Sequence, residues 1–229
     1  MSPARSTYYH LSFEPAVRRT LRPLQIIRVT EDREAPRRTV RLIREGGLVA
    51  YPTDTLYGVG CNAHDAAAVL RIFNIKRRPR SEPLPILIDN QEQLGDLVAA
   101  VPDVAGRLMQ RFWPGALTLI LRKGRHVSAI VTAGGENLAV RLPDHPIPRS
   151  LIRLAGMPII GTSANIHGSA SPATAQHVAF ELGDQVDLIL DGGRTRHGRE
   201  STVVDVTQDA PRVVREGAIP RETIEEALR

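Results

Sequence analysis

From Leu24 onward the chain alternates apolar runs of four to six residues with longer stretches whose apolar side chains recur at helical spacing. Runs that short suit strands, and the periodic stretches between them suit helices that bury one face on a sheet, so the text predicts an α/β domain with a mixed sheet. The expected strands are 24–29, 48–52, 85–88, 117–121, 138–142, 158–161, 187–190, 202–206 and 212–215. A helix is expected from near Arg33 to Glu45, stopped by Gly46 and Gly47, and another over 65–75 with Asp65 as its N-cap. Further helices are expected near 91–98, 102–112, 146–155, 173–182 and 221–228. No repeat of solenoid length and no polar linker interrupts this pattern.

The same pattern excludes a membrane span. Even the most apolar stretch, 116–121, extends over six residues, against the roughly 20 that a spanning helix needs. A single cysteine, Cys61, rules out a disulfide framework or a Cys-cluster zinc site and fits a reducing, cytoplasmic setting. The net charge of +5 invites a nucleic-acid reading. Its distribution argues otherwise: residues 1–38 hold eight arginines against four acids, whereas 39–229 hold 22 basic residues against 21 acids. Most of the excess therefore belongs to an N-terminal arm, 1–23, without periodicity or a secretory apolar centre, and 24–229 is read as one domain. An organelle transit peptide is the other reading of that arm, weakened by Pro3, Pro15 and Pro23.

Common chemical signatures are missing. The segment 193–198 has the glycine spacing of a phosphate loop, but Arg199 and Glu200 follow where Lys-Ser/Thr is needed, and a strand follows rather than a helix. Gly161-Thr-Ser-Ala-Asn165 is not a nucleophile elbow. The seven histidines lack metal-ligand spacing, and Cys61 reads as a small buried apolar residue.

Four polar segments remain that core packing does not require. Tyr51-Pro-Thr-Asp-Thr-Leu-Tyr-Gly-Val-Gly-Cys61 clusters Thr53, Thr55 and Tyr57 after a strand, with Asp54 and the glycines read as turn residues. Lys76, Arg77, Arg78 and Arg80 crowd the end of a helix, where mutual repulsion calls for an anionic partner. Arg141 interrupts an apolar strand, a place suited to bidentate capture of a carboxylate. Gly161-Thr-Ser163-Ala-Asn165, with Gly168 and Ser171, supplies small donors that let a ligand approach closely.

Read together and in order, these segments resemble the YrdC-like domain of threonylcarbamoyl-adenylate synthases. The matching text is Pro52-Thr-Asp-Thr-Leu-Tyr-Gly-Val-Gly60, Lys76-x-Arg78-Pro79, Pro83-Leu84, Trp113-Pro-Gly-Ala-Leu-Thr118, Ala139-Val-Arg-Leu-Pro143, Ser163-Ala-Asn165, Asp191-Gly-Gly193, Ser201-Thr-Val-Val-Asp205 and Arg215-Glu-Gly217, covering roughly residues 33–219. The resemblance implies an open, twisted, mixed β-sheet with flanking helices and a concave basic cleft, in the short single-domain form. It implies a nucleotidyltransferase that joins L-threonine, bicarbonate and ATP into threonylcarbamoyl-AMP and pyrophosphate, for tRNA N6-threonylcarbamoyladenosine formation with other tRNA-modification proteins and with tRNA as a further contact. Lys76, Arg78, Ser163 and Asn165 correspond to its nucleotide-facing catalytic tetrad; Asn137, Ser171 and Arg215 to further ATP contacts; and Thr55, Arg141, Gly161 and Ser201 to its threonine pocket. Mg2+ is expected to travel with ATP, because the matched set has too few carboxylates for a dedicated site.

Glu82 departs from the family, which commonly has a basic residue there, and pairing with Arg80 is the expected compensation. Three other readings stay open, one of them a diverged paralogue that keeps the fold without the activity, which the intact tetrad disfavours. A non-catalytic double-stranded RNA or tRNA-binding module of the same fold is disfavoured by an aromatic content of 4%. The related carbamoyl-transfer domain of hydrogenase maturation is disfavoured by the lack of Cys-rich segments.

Overall fold

The computed structural model describes residues 24–32 and 34–229. The basic arm 1–23 and Arg33, near which the first helix is expected to begin, lie outside the described residues. Two mixed sheets form where the sequence suggests one. The first has the order β1 (Ile26–Arg28), β9 (Leu188–Asp191), β2 (Val49–Pro52), β3 (Tyr57–Gly60) and β8 (Thr162–Ser163). The second runs β11 (Arg212–Arg215), β10 (Thr202–Asp205), β5 (Leu117–Arg122), β6 (Asn137–Arg141), β4 (Ile86–Leu87) and β7 (Ile159–Ile160). The helices are α1 (Ala35–Arg44), α2 (Ala66–Lys76), α3 (Leu94–Leu97), α4 (Asp103–Phe112), α5 (Pro146–Ala155), α6 (Ala175–Leu182) and α7 (Arg221–Leu228). The helix expected near 91–98 is divided: the Asn90 side chain caps a 3-10 turn over Gln91–Gln93 before α3 begins. None of these helices is long and apolar enough to cross a membrane.

Alternation along the strands shows why the two sheets differ. In β2 the side chains of Val49 and Tyr51 pack with α1 and α5, while Ala50 faces the larger core that includes α2 and α6. With both faces covered, such strands read as continuous apolar runs. In the second sheet Leu117, Leu119, Leu138, Val140 and Val204 enter the larger core. Their alternating neighbours Thr118, Ala139, Arg141 and Val203 line an open cavity on the opposite face.

The sheets meet where the chain passes from β7 to β8 through Gly161. Gly58 and Gly60, read from the sequence as turn residues, lie inside β3, which pairs antiparallel with β2. Their small size serves close approach. A Cβ on Gly60 would stand 2.0 Å from the Ile160 carbonyl oxygen and 2.7 Å from the Tyr51 hydroxyl. That space lets Tyr51, fully buried, donate from its hydroxyl to the Ile160 carbonyl at 2.9 Å. The Ile160 amide in turn donates to the Cys61 carbonyl at 2.9 Å. Gly60→Ala is expected to lower the unfolding free energy by about 2–4 kcal/mol, because backbone at the seam has to shift. Gly106→Ala, in the exposed middle of α4 with nothing within 4 Å of the added carbon, is expected to raise it by about 0.5–1 kcal/mol. Urea unfolding of the two variants checks both signs.

Candidate active site

A cavity of about 520 Å³ opens between the sheets. Strand register places Arg215 beside Val203, Val203 beside Thr118, Thr118 beside Arg141 and Arg141 beside Leu87. All five line the cavity, so its floor is one row running across β11, β10, β5, β6 and β4. Three strand spacings put the Arg215 and Arg141 backbones roughly 14 Å apart. Arg215 reaches this row through a β-bulge. Val204 pairs with Val213 but Val203 pairs with Arg215, leaving Val214 as an extra residue. Simple alternation would have turned Arg215 to the core face with Val213.

Over this floor the 53–56 turn projects Thr55. The Thr53 hydroxyl donates to the Leu56 carbonyl at 2.7 Å and accepts from the amides of Thr55 and Leu56 at 3.1 and 3.2 Å, fixing the turn. The 193–198 segment, which lacks a phosphate-loop context, instead straps it: the His197 and Gly198 amides donate to the Asp54 and Thr55 carbonyls at 2.9 and 3.0 Å. Arg141 joins turn and floor. Its Nη1 donates to the Thr55 hydroxyl at 2.7 Å, its Nη2 to Asp54 Oδ1 at 2.6 Å and its Nε to the Gly115 carbonyl at 2.9 Å. Burial pulls the Arg141 pKa below the usual guanidinium value, and the Asp54 charge opposes that pull. Three of its five N–H groups are thus fixed, and the guanidinium still borders the cavity. Sequence reasoning misses Asp54 as a partner because turn chemistry suffices to explain it. A lone arginine in an apolar strand demands a buried counter-charge, and that is the available signal.

At the opposite wall α2 ends with Arg77 in a left-handed conformation, φ 52°. Lys76 is buried, and its Nζ donates to the carbonyls of Ser163 and Asn165 at 2.5 and 2.7 Å. Burial first, and Arg78 second, push its pKa down to about 8. Arg78 lines the cavity with Lys76, whereas Arg77 and Arg80 point to solvent, so two cations of the expected four reach the site. Glu82 pairs with Arg78 at 3.2 Å rather than with Arg80, correcting the compensation expected from sequence. The two stand four positions apart within one tight loop, where the Arg78 Nη2 also donates to the Pro83 carbonyl at 3.1 Å. Arg215 contacts the Ser201 carbonyl and hydroxyl through Nη2 at 3.0 and 3.3 Å, and Ser201 shares a 2.8 Å hydrogen bond with Thr118.

The cavity therefore gathers Lys76, Arg78, Ser163, Asn165, Thr55, Arg141, Gly161, Ser201 and Arg215. Ser171 stands just behind its lining, donating to Glu200 at 3.0 Å. Asn137 is not brought to it. It sits four residues before Arg141 at the far end of β6, paired with Arg122, and its buried Oδ1 accepts no hydrogen bond from the protein. Phe73 and Trp113 are buried in the larger core, where they offer no surface for base stacking.

A model of the Sua5/YciO/YrdC family, described as telomere recombination, matches residues 41–217. The threonylcarbamoyl-AMP synthase of Pyrococcus abyssi (strain GE5 / Orsay) is 48% identical over 186 residues, which cover 81% of this chain and 55% of that protein. That of Bacillus subtilis (strain 168) is 47% identical over 188 residues, covering 82% and 54%. The chain thus spans little more than half the length of these relatives. The crystal structure of P. abyssi Sua5 complexed with L-threonine superposes with a TM-score of 0.84 at 45% identity, over 90% of this chain and 60% of that one. The matched span contains the whole cavity lining, so sequence and shape agree where the chemistry is concentrated, and the chain belongs to the Sua5/YciO/YrdC family, that of the threonylcarbamoyl-AMP synthases.

Proposed function

We propose that the protein is a nucleotidyltransferase that makes threonylcarbamoyl-AMP and pyrophosphate from L-threonine, bicarbonate and ATP. The observation that carries this reading is the coexistence, in one cavity, of a carboxylate receptor built on Arg141 and a cluster of cations, Lys76, Arg78 and Arg215, suited to a polyphosphate. The threonine amine and bicarbonate give a carbamate and water. A carbamate oxygen then attacks the α-phosphorus of ATP, the bond to the β-phosphate oxygen breaks and pyrophosphate leaves. Nothing in this sequence needs a protein nucleophile, and Cys61 is unsuited to be one, because burial pushes its thiol up to about 12. The protein's task is to position the reactants and offset charge. Arg141 receives the threonine carboxylate, and the hydroxyls of Thr55 and Ser201 are placed to read the substrate hydroxyl, the kind of contact that rejects an analogue lacking it. Lys76 and Arg78 take the phosphates, with Ser163 and Asn165 held beside them by Lys76 itself.

Mg2+ enters with the triphosphate in this reading. The carboxylates on the cavity, Glu82 and Glu200, are each engaged by an arginine, and no group of three potential metal ligands forms among the described residues. Transfer of the threonylcarbamoyl group to tRNA, in the cytoplasm, falls to other tRNA-modification proteins.

Incubated with labelled ATP, the protein is expected to release pyrophosphate only when both threonine and bicarbonate are present; release independent of threonine sinks the assignment. Lys76→Ala and Arg141→Ala are expected to fail differently in equilibrium binding, the first losing ATP affinity about 10–100-fold, the scale of one lost charge-assisted contact, and the second losing threonine affinity to a similar degree. Identical losses in both variants would contradict this division. Lys76 carries its charge below about pH 8 and loses it above. ATP affinity is accordingly expected to weaken as pH rises through about 8, and Lys76→Arg, which keeps its proton, is expected to flatten that profile.

A further inference from the structure

Each arginine lining the cavity is already engaged by a carboxylate: Arg141 by Asp54, Arg78 by Glu82 and Arg215 by Glu200. The three acids are not equivalent. Asp54 is fully buried and lies outside the cavity lining, and Glu82, which lines it, pairs with an arginine of its own loop at 3.2 Å and lies 3.4 Å from the His167 imidazole, both contacts longer than the ion pair that Glu200 makes. Glu200 lines the cavity and bridges two donors from separate segments. Its Oε2 lies 2.6 Å from Arg215 Nη1, and its Oε1 accepts from the Ser171 hydroxyl at 3.0 Å. Its backbone is pinned as well. The Glu200 carbonyl accepts from the Ala218 amide at 2.8 Å, and a Cβ on Gly217 would stand 2.3 Å from that oxygen. Lys76 and Arg78 both feel its charge, which favours their protonated forms. The carboxylate thus reaches one guanidinium and one hydroxyl within the field of two further cations, the kind of donor set that suits a phosphate.

We propose that Glu200 is an internal stand-in for a phosphate group. In the unliganded protein it holds Arg215 and Ser171 in position, and an entering triphosphate takes over both donors. The inference rests on the reading of this cavity as an ATP site. Glu200 acts through Arg215 and Ser171 and is therefore a positioning residue. Its presence keeps the cation cluster from standing unpaired before substrate arrives, and it opposes ATP through like charge until its side chain gives way.

Glu200→Gln keeps side-chain length and an acceptor for Ser171 while removing the charge. ATP binding measured by calorimetry at low ionic strength is expected to tighten about three- to tenfold, the scale of one like charge removed from a half-exposed site. The gain is expected to fade at roughly 0.5 M salt. Adenosine, which has the same base and ribose without phosphates, is expected to bind native protein and variant alike. Glu200→Ser, which also removes the competing carboxylate, is expected to show the same sign and serves if the first variant folds poorly. ATP binding by both variants no tighter than by a native protein that does bind ATP overturns the inference and leaves the proposed function standing. An equal gain for adenosine overturns it too, since that effect is steric. Failure of the native protein to bind ATP overturns the function reading, and the inference with it.

Discussion

A guanidinium taken out of water sets terms for everything around it. Arg141 stands in a strand whose alternate residues belong to the core, and its desolvation has to be met by fixed partners. Asp54, Thr55 and the Gly115 carbonyl meet it from two separate segments, each bonded at 2.6–2.9 Å. Those bonds require the 53–56 turn to hang over β6, which requires β3 to turn back along β2, which in turn depends on the glycines of β3 for its close packing. Such a pair adds little net stability over a well-packed apolar substitute, whereas losing one partner costs about 3–5 kcal/mol. What it provides is a cation of fixed direction at the edge of a cavity.

The other end of the cavity uses its charge differently. The Lys76 ammonium is engaged by the carbonyls of Ser163 and Asn165, so the segment that follows β8 is shaped by the same group that faces the nucleotide in the proposed function. Burial has already lowered its hold on its proton, and an anion arriving nearby would restore it. The glutamates beside Arg78 and Arg215 keep the region from accumulating unpaired positive charge. The body therefore holds a local cationic site while its overall charge stays close to neutral, and the basic excess of the chain lies mostly in residues 1–38.

Much of this is legible in the sequence. Both covered faces of β2 and β9 appear as unbroken apolar runs, and α2 announces itself through Asp65, whose side chain accepts from the amides of Ala67 and Ala68. Most of the candidate site residues converge on one cavity, because family motifs record side chains that share a surface. The rest depends on geometry with no local signature. The switch of sheets at Gly161 lies between two two-residue strands, too short for any periodic signal. Residues 57–60 read as a turn because glycine signals turning more often than tight strand packing. The bulge at Val214 leaves no clearer trace than two adjacent valines between arginines, yet it alone turns Arg215 toward the floor. Analogy carries over Asn137, which shares the strand face of Ala139 and Arg141 but stands at the far end of β6, beyond the cavity lining, and charge compensation alone does not distinguish Arg80, which faces solvent, from the Arg78 that Glu82 contacts.

Gly60, Ile160 and Gly161 form a narrow crossing between two sheets that otherwise diverge around an open space. Arg141 and Arg215 belong to one sheet, and Thr55, Ser163 and the segment after it belong to the other side. A molecule that engages both groups at once would act as a cross-brace, tying the halves together on the side away from the crossing. Occupancy of the cavity and rigidity of the whole body would then be the same mechanical event.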